Sequence, residues 1–179
     1  MFTYKFQEAA VNDIVIQVNM LGPLQDQLGP VIWTLVEDVQ FTENPFLPGN
    51  PEELMSSGQL NKDIEVIVGH NSDEGLFFAY PYLLNPGLWG TLQENFETMI
   101  PQYMFNIANV SDITNIDVAN AYKLIEYYTG SVENLNAENF QAYVDLVSDA
   151  WFAIGHHKTV DYLIKHGVPV FQYLFAYEG

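Results

Sequence analysis

Cysteine is absent from the 179 residues and so is arginine, the five basic residues all being lysine. Without cysteine there is no disulfide framework, no thiolate metal site and no cysteine nucleophile. Without arginine there is no bidentate fork for phosphate or carboxylate. Five Lys against 23 Asp and Glu leave a net charge of -18. That balance argues against nucleic acid, whose phosphates must be neutralised by basic side chains, and against an anionic membrane surface. No apolar run is long enough to cross a bilayer, so no membrane span is expected. Residues 1–18 lack the basic segment, apolar run and small-residue cleavage site of a targeting signal.

What is present is 49% hydrophobic and 15% aromatic, the profile of a chain that buries surface rather than stays disordered. The length fits one domain with a sizeable core, and the expectation is a single unit over residues 1–179. The acidity keeps an aromatic-rich protein soluble and by itself names no substrate.

Gly-Pro, Asn-Pro and Pro-Gly pairs break residues 20–51 into loop around one short apolar run, 31–36. Asn50 then offers an N-cap, Pro51 a first helical position, Glu52 and Glu53 acid in the first turn, and Gly58 a stop, which predicts one short helix. Residues 64–69, Ile-Glu-Val-Ile-Val-Gly, are β-branched, too short for a helix and bounded by turn residues, the composition of a buried strand. From Leu76 the pattern becomes helical, and Trp89, Leu92, Phe96, Met99 and Ile100 fall on one face of an amphipathic helix. Val118, Tyr122 and Ile125 mark another. Residues 137–167 hold one more, or a pair broken at Gly155, and residues 168–175 close the chain as a strand. Strands separated by helices predict an α/β fold with parallel pairing.

An acidic residue just after a strand stands where ligands meet open α/β sheets, beyond the strands' carboxyl ends. Asp73 and Glu74 occupy that position. From pattern alone the simpler reading is that they are favourable charges in the first turn of the helix that follows. None of the six serines sits in a G-x-S-x-G elbow. His156 and His157 read as a surface pair and His166 as a charge at a helix end. Adjacent histidines on a helix point apart, so no metal site is expected. Asn109-Val110-Ser111 is a glycosylation sequon, which matters only in a secreted protein.

Residues 41–78, FTENPFLPGNPEELMSSGQLNKDIEVIVGHNSDEGLFF, carry more than these fragments. They resemble the type-B carboxylesterase, or cholinesterase-like, pattern in which "FLP..P.EL..SG..N" precedes a strand ending in "G.N.DEG..F". Ser148-Asp149-Ala150-Trp151-Phe152 and residues 170–179 likewise resemble that family's "D..F" helix and its last strand before the histidine. The resemblance implies a partial α/β-hydrolase fold, the carboxyl-terminal half of the domain, with two parallel strands at about 64–68 and 170–175 joined by a long helical insertion. It implies hydrolysis of carboxylic esters through a Ser, Glu, His triad, with Glu74 as the acid. By position, Phe77 and Phe78 inherit a substrate-lining role, for which ordinary core packing is the competing reading. A small-molecule ester is the implied partner, no cofactor is implied, and the family relation points to a secreted or extracellular protein.

The serine elbow and the histidine are not among these residues, so the chain is expected to be a piece that supplies the acid and does not catalyse alone. Two other readings stay open. One is a non-catalytic cholinesterase-like adhesion or binding protein, and the other an unrelated acidic, helix-rich binding protein. The esterase reading requires Glu74 at the carboxyl end of the first strand, on the sheet edge at which the second strand also ends.

Overall fold

A computed structural model describes residues 37–177, which group with the rest of the chain into two units, Met1–Leu60 and Asn61–Gly179. The apolar run at 31–36 and the Gly-Pro pairs before it lie outside the described residues.

In the first unit, Asp38 folds its loop back on itself, its carboxylate accepting the Phe46 N–H at 3.0 Å and the Leu47 N–H at 2.8 Å. Helix α1 (Pro51–Ser56) is built as its sequence dictates. Asn50 Oδ1 accepts the Glu52 and Glu53 amides at 2.9 and 3.3 Å, and Gly58 ends the turn with φ +79°. Those two amides are orphan donors of the first turn, and the cap satisfies both.

The second unit begins with strand β1 (Val66–Asn71), which pairs in parallel with β2 (Val170–Phe175), Val66 opposite Val170 and Asn71 opposite Phe175. Between them run α2 (Leu76–Leu84), α3 (Gly87–Met104), α4 (Asn115–Thr129) and α5 (Phe140–Ser148). A π-helical segment (Asp149–Ala153) then leads directly into α6 (Ile154–Lys165). The two parallel strands joined by a long helical insertion are those expected, with β1 displaced two residues towards the carboxyl end of its apolar run.

The core lies among the helices. Trp89, Leu92, Phe96 and Ile100 of α3 are buried with Ala121 and Ile125 of α4 and with Tyr143, Val144, Leu146 and Val147 of α5. The face expected on α3 is the buried one, although the helix kinks at Asn95 (φ −118°, ψ 15°), whose side-chain amide bonds the Thr91 carbonyl at 2.8 Å. Tyr122 departs from the face expected on α4. It is exposed, stacks edge-on against Phe96 and donates its hydroxyl to Glu97. Helix α4 starts at a Thr114 and Asp117 capping box and stops at Gly130, φ +81°. Both ends follow from local chemistry.

Two expectations are corrected. The helical run after residue 137 does not break at Gly155, which sits in continuous helix; the irregularity is the π segment just before it. The strands have the composition of buried strands, yet Ile67 is 72% exposed and Phe171 57%. Helix α6 packs against both of them.

Candidate active site

β1 ends in Asn71 and β2 in Phe175, directly opposite each other, so both strands deliver their carboxyl ends to the same edge. The pairing extends one step further, since the Ser72 N–H donates to the Phe175 carbonyl at 3.0 Å. The chain then turns through residues 72–75 and enters α2. Glu74 therefore stands at that shared edge, half-buried, where the parallel sheet and the first turn of a helix meet.

Its carboxylate is held from behind. The Asn71 backbone N–H and the Asn71 side-chain Nδ2 both donate to Glu74 Oε1, each at 2.9 Å. Two donors on one oxygen fix the carboxylate plane and leave Oε2 with no bond to any described residue. Asn71 is a functional candidate that the sequence reading passed over, though a residue able to donate from both backbone and side chain three positions before an acid is a readable Asx-type signal.

The neighbouring carboxylate is differently employed. Asp73 Oδ2 accepts the Ser72 hydroxyl and Oδ1 the Gln141 amide, both at 2.6 Å. The Ser72 hydroxyl, then the Gln141 amide, hold its carboxyl below the usual value. Both of its oxygens are engaged in tying the turn to α5, which makes it a structural acid.

Gly75 shows why the turn has its sequence. An added Cβ would lie 2.3 Å from the Val144 carbonyl oxygen and 2.8 Å from the Ser148 nitrogen. The turn thus lies directly on the backbone of α5, where only glycine fits. Gly69 serves the sheet in a similar way, its face being covered by the ring of Tyr173, its partner across the strands.

The two phenylalanines of α2 separate. Phe77 is 68% exposed, whereas Phe78 packs against the core with its ring 4.4 Å from that of Trp151 and edge-on to it. Trp151 is fixed in turn by its Nε1–H, which donates to the Tyr103 carbonyl at 2.7 Å. Tyr128 reaches the π segment from α4, its hydroxyl 2.5 Å from Asp149 Oδ2. Burial, and then the Asp149 carboxylate, push that phenol well above its ordinary value.

His157 is exposed as expected, whereas His156 is half-buried. Its ring lies edge-on to His70 at 4.9 Å, Nε2 is 3.1 Å from Gln172 Oε1, and Nδ1 is buried without a hydrogen-bond partner. The residue joins α6 to the two strands through His70 of β1 and Gln172 of β2. His166 caps the end of α6. Asn109 is exposed just before a short 3-10 turn (Val110–Asp112), its Nδ2 donating to Asp112 at 3.1 Å. Among the described residues no group of three His, Asp or Glu could hold a metal ion, and no helix is long and apolar enough to cross a membrane.

Comparison with known proteins bears on this geometry. The sequence model of the carboxylesterase family matches residues 6–179. A juvenile hormone esterase of Tribolium castaneum is 29% identical over 162 residues, covering 86% of this chain and 26% of the relative. A carboxylic ester hydrolase of Bombus ignitus is 24% identical over 159 residues, covering 88% of this chain and 26% of the relative. The chain spans about a quarter of the length of these curated relatives.

Proposed function

Because the chain belongs to the carboxylesterase family, we propose that it is the part of a serine carboxylic-ester hydrolase that supplies the acidic member of the triad, Glu74. The observation that carries this reading is the carboxylate itself. It stands at the carboxyl-end edge of a parallel strand pair, bonded through Oε1 to Asn71, with Oε2 left for an imidazole N–H. A carboxylate so held selects the histidine tautomer and stabilises the imidazolium that forms during attack.

In the full-length protein the serine Oγ attacks the ester carbonyl and its proton passes to the histidine. The histidine returns that proton to the leaving alcohol, and water, deprotonated by the same histidine, releases the acid from the acyl-enzyme. In this scheme the triad acid exchanges no proton. No G-x-S-x-G elbow is present in residues 1–179, and on this reading neither the nucleophile nor the base is supplied by these residues, so the 179 residues alone should not turn over an ester. In this reading Phe77 lines the substrate path, a role its exposure one turn beyond Glu74 supports, and Phe78 backs it edge-on while itself resting on Trp151. If the protein is secreted, Asn109 accepts a glycan.

The test is hydrolysis of 4-nitrophenyl acetate by the full-length protein, with labelling by a fluorophosphonate probe. A juvenile hormone belongs in the substrate panel because one relative bears that name. Turnover and labelling together are expected. A folded full-length protein showing neither overturns the esterase reading in favour of a non-catalytic binding role.

A further inference from the structure

Aromatics aside, Ser148 is the only polar residue buried among the described residues, at 5% exposure. It closes α5 just before the helix widens into its π segment. Its hydroxyl is used in both directions. It donates to the Val144 carbonyl at 2.8 Å and accepts the Gly75 N–H at 2.8 Å, a bond that spans 73 residues of sequence. A hydroxyl has one proton to give. With the Val144 carbonyl taking that proton, the oxygen is turned to Gly75 as an acceptor.

Gly75 needs that acceptor. It is the N-terminal cap of α2 and has no side chain to satisfy the donors of the first turn. Its own N–H is enclosed against α5, where water cannot replace a lost partner. That N–H belongs to the peptide plane joining Glu74 to Gly75, so fixing it fixes the backbone from which the Glu74 side chain leaves. Asn71 holds the other end of the same residue, the carboxylate.

We propose that Ser148 is a positioning residue for the Glu74 carboxylate, acting through the Gly75 N–H. This rests on the reading of Glu74 as the triad acid. Removing the hydroxyl leaves the Gly75 N–H buried and unsatisfied, and the turn relaxes away from α5 towards water. The carboxylate then shifts with its own backbone, and displacements of about 1 Å in a catalytic constellation cost up to about 100-fold in rate. Substrate binding does not pass through this bond and stays as it was.

The experiment is a double-mutant cycle in the full-length enzyme, using 4-nitrophenyl acetate at high enzyme concentration so that residual turnover is readable. Ser148→Ala is expected to lower kcat roughly 10- to 100-fold with KM within about twofold. Placed on Glu74→Gln, the same substitution is expected to lower it no further, because the group it positions has gone. Equal losses in both backgrounds would make Ser148 a support of the fold alone and overturn the proposal. An unchanged kcat in Ser148→Ala beside a collapsed kcat in Glu74→Gln would overturn it while leaving the triad reading intact. A Glu74→Gln enzyme of full activity would remove the triad reading, and this inference with it. Should Ser148→Ala fail to fold, Ser148→Cys, similar in size but a weaker donor and acceptor, carries the same cycle.

Discussion

Two adjacent acids with different employment give the sharpest test available at single residues. Glu74 keeps one oxygen unbonded among the described residues, while both oxygens of Asp73 are engaged by Ser72 and Gln141. Glu74→Gln in the full-length enzyme should lower kcat by about 10⁴, the cost of losing a triad carboxylate in serine proteases. Asp73→Asn should cost less than about tenfold, since the amide keeps acceptor capacity for Gln141 and the group touches no reacting atom. Steady-state kinetics on purified variants decides, and equal losses would mean that the wrong carboxylate has been chosen. Asp73 matters instead for stability against acid. Its carboxyl, like those of Asp38 and Asp117, is lowered from 3.8 by hydrogen bonds that exist only in the fold: the Ser72 hydroxyl and Gln141 amide, the Phe46 and Leu47 amides, and the Thr114 hydroxyl and amide respectively. A folded-state value below the unfolded one gives stability that is present above 3.8 and lost as pH falls through the lower folded value. Urea midpoints of the full-length protein should therefore decline more steeply below about pH 4 than those of a variant carrying Asp73→Asn and Asp117→Asn together.

At the level of elements, two glycines that look alike in sequence should respond in opposite directions. A methyl at Gly75 meets the Val144 carbonyl at 2.3 Å, whereas one at Gly155 meets nothing within 4 Å. Gly75→Ala should destabilise the full-length protein by about 1–3 kcal/mol through overpacking. Gly155→Ala, inside α6, should stabilise it by about 0.5–1 kcal/mol by lowering the entropy of the unfolded helix. Chemical denaturation measures both, and a stabilising Gly75→Ala would show that the turn does not rest on α5. The same contrast marks what the sequence could reveal. Elements governed by local chemistry were legible: the Asn50-Pro51 helix start, the buried face of α3 and the apolar strands on either side of the insertion. Where tertiary contacts decide, the reading slipped. β1 runs to Asn71 because its backbone pairs with β2 beyond the last apolar residue. The π segment and its Tyr128 to Asp149 bond have no signature in residue spacing. The position of Glu74 just beyond β1 was legible through the motif around it, but the bond from Gly75 to Ser148, 73 residues away, was not, because a small polar residue in a helix does not announce a distant partner.

For the molecule as a whole, the strand pair and the net charge pull in opposite directions. Among the described residues the sheet has only two strands, with Ile67, Phe171, Leu174 and Phe175 all more than half exposed. A two-stranded sheet is marginal in water, and open edges template pairing with another chain. Against that stands a net charge of -18 with no arginine to offset it locally. The range of that repulsion is set by salt, from about 30 Å at 0.01 M to about 3 Å at 1 M. The 179-residue chain alone should therefore self-associate in a salt-dependent way, staying small at low ionic strength and growing as salt screens the carboxylates and leaves the apolar strands free to meet. Sedimentation velocity across that salt range is the measurement. Association that weakens with salt would assign it to ionic contacts, which a chain so short of cations is poorly equipped to make. A monomer with one sharp melt at every salt concentration would show that β1 and β2 are covered by the chain itself. In either case esterase assays of the 179 residues should stay at the buffer rate, because covering the sheet supplies neither a serine elbow nor a base to work with Glu74.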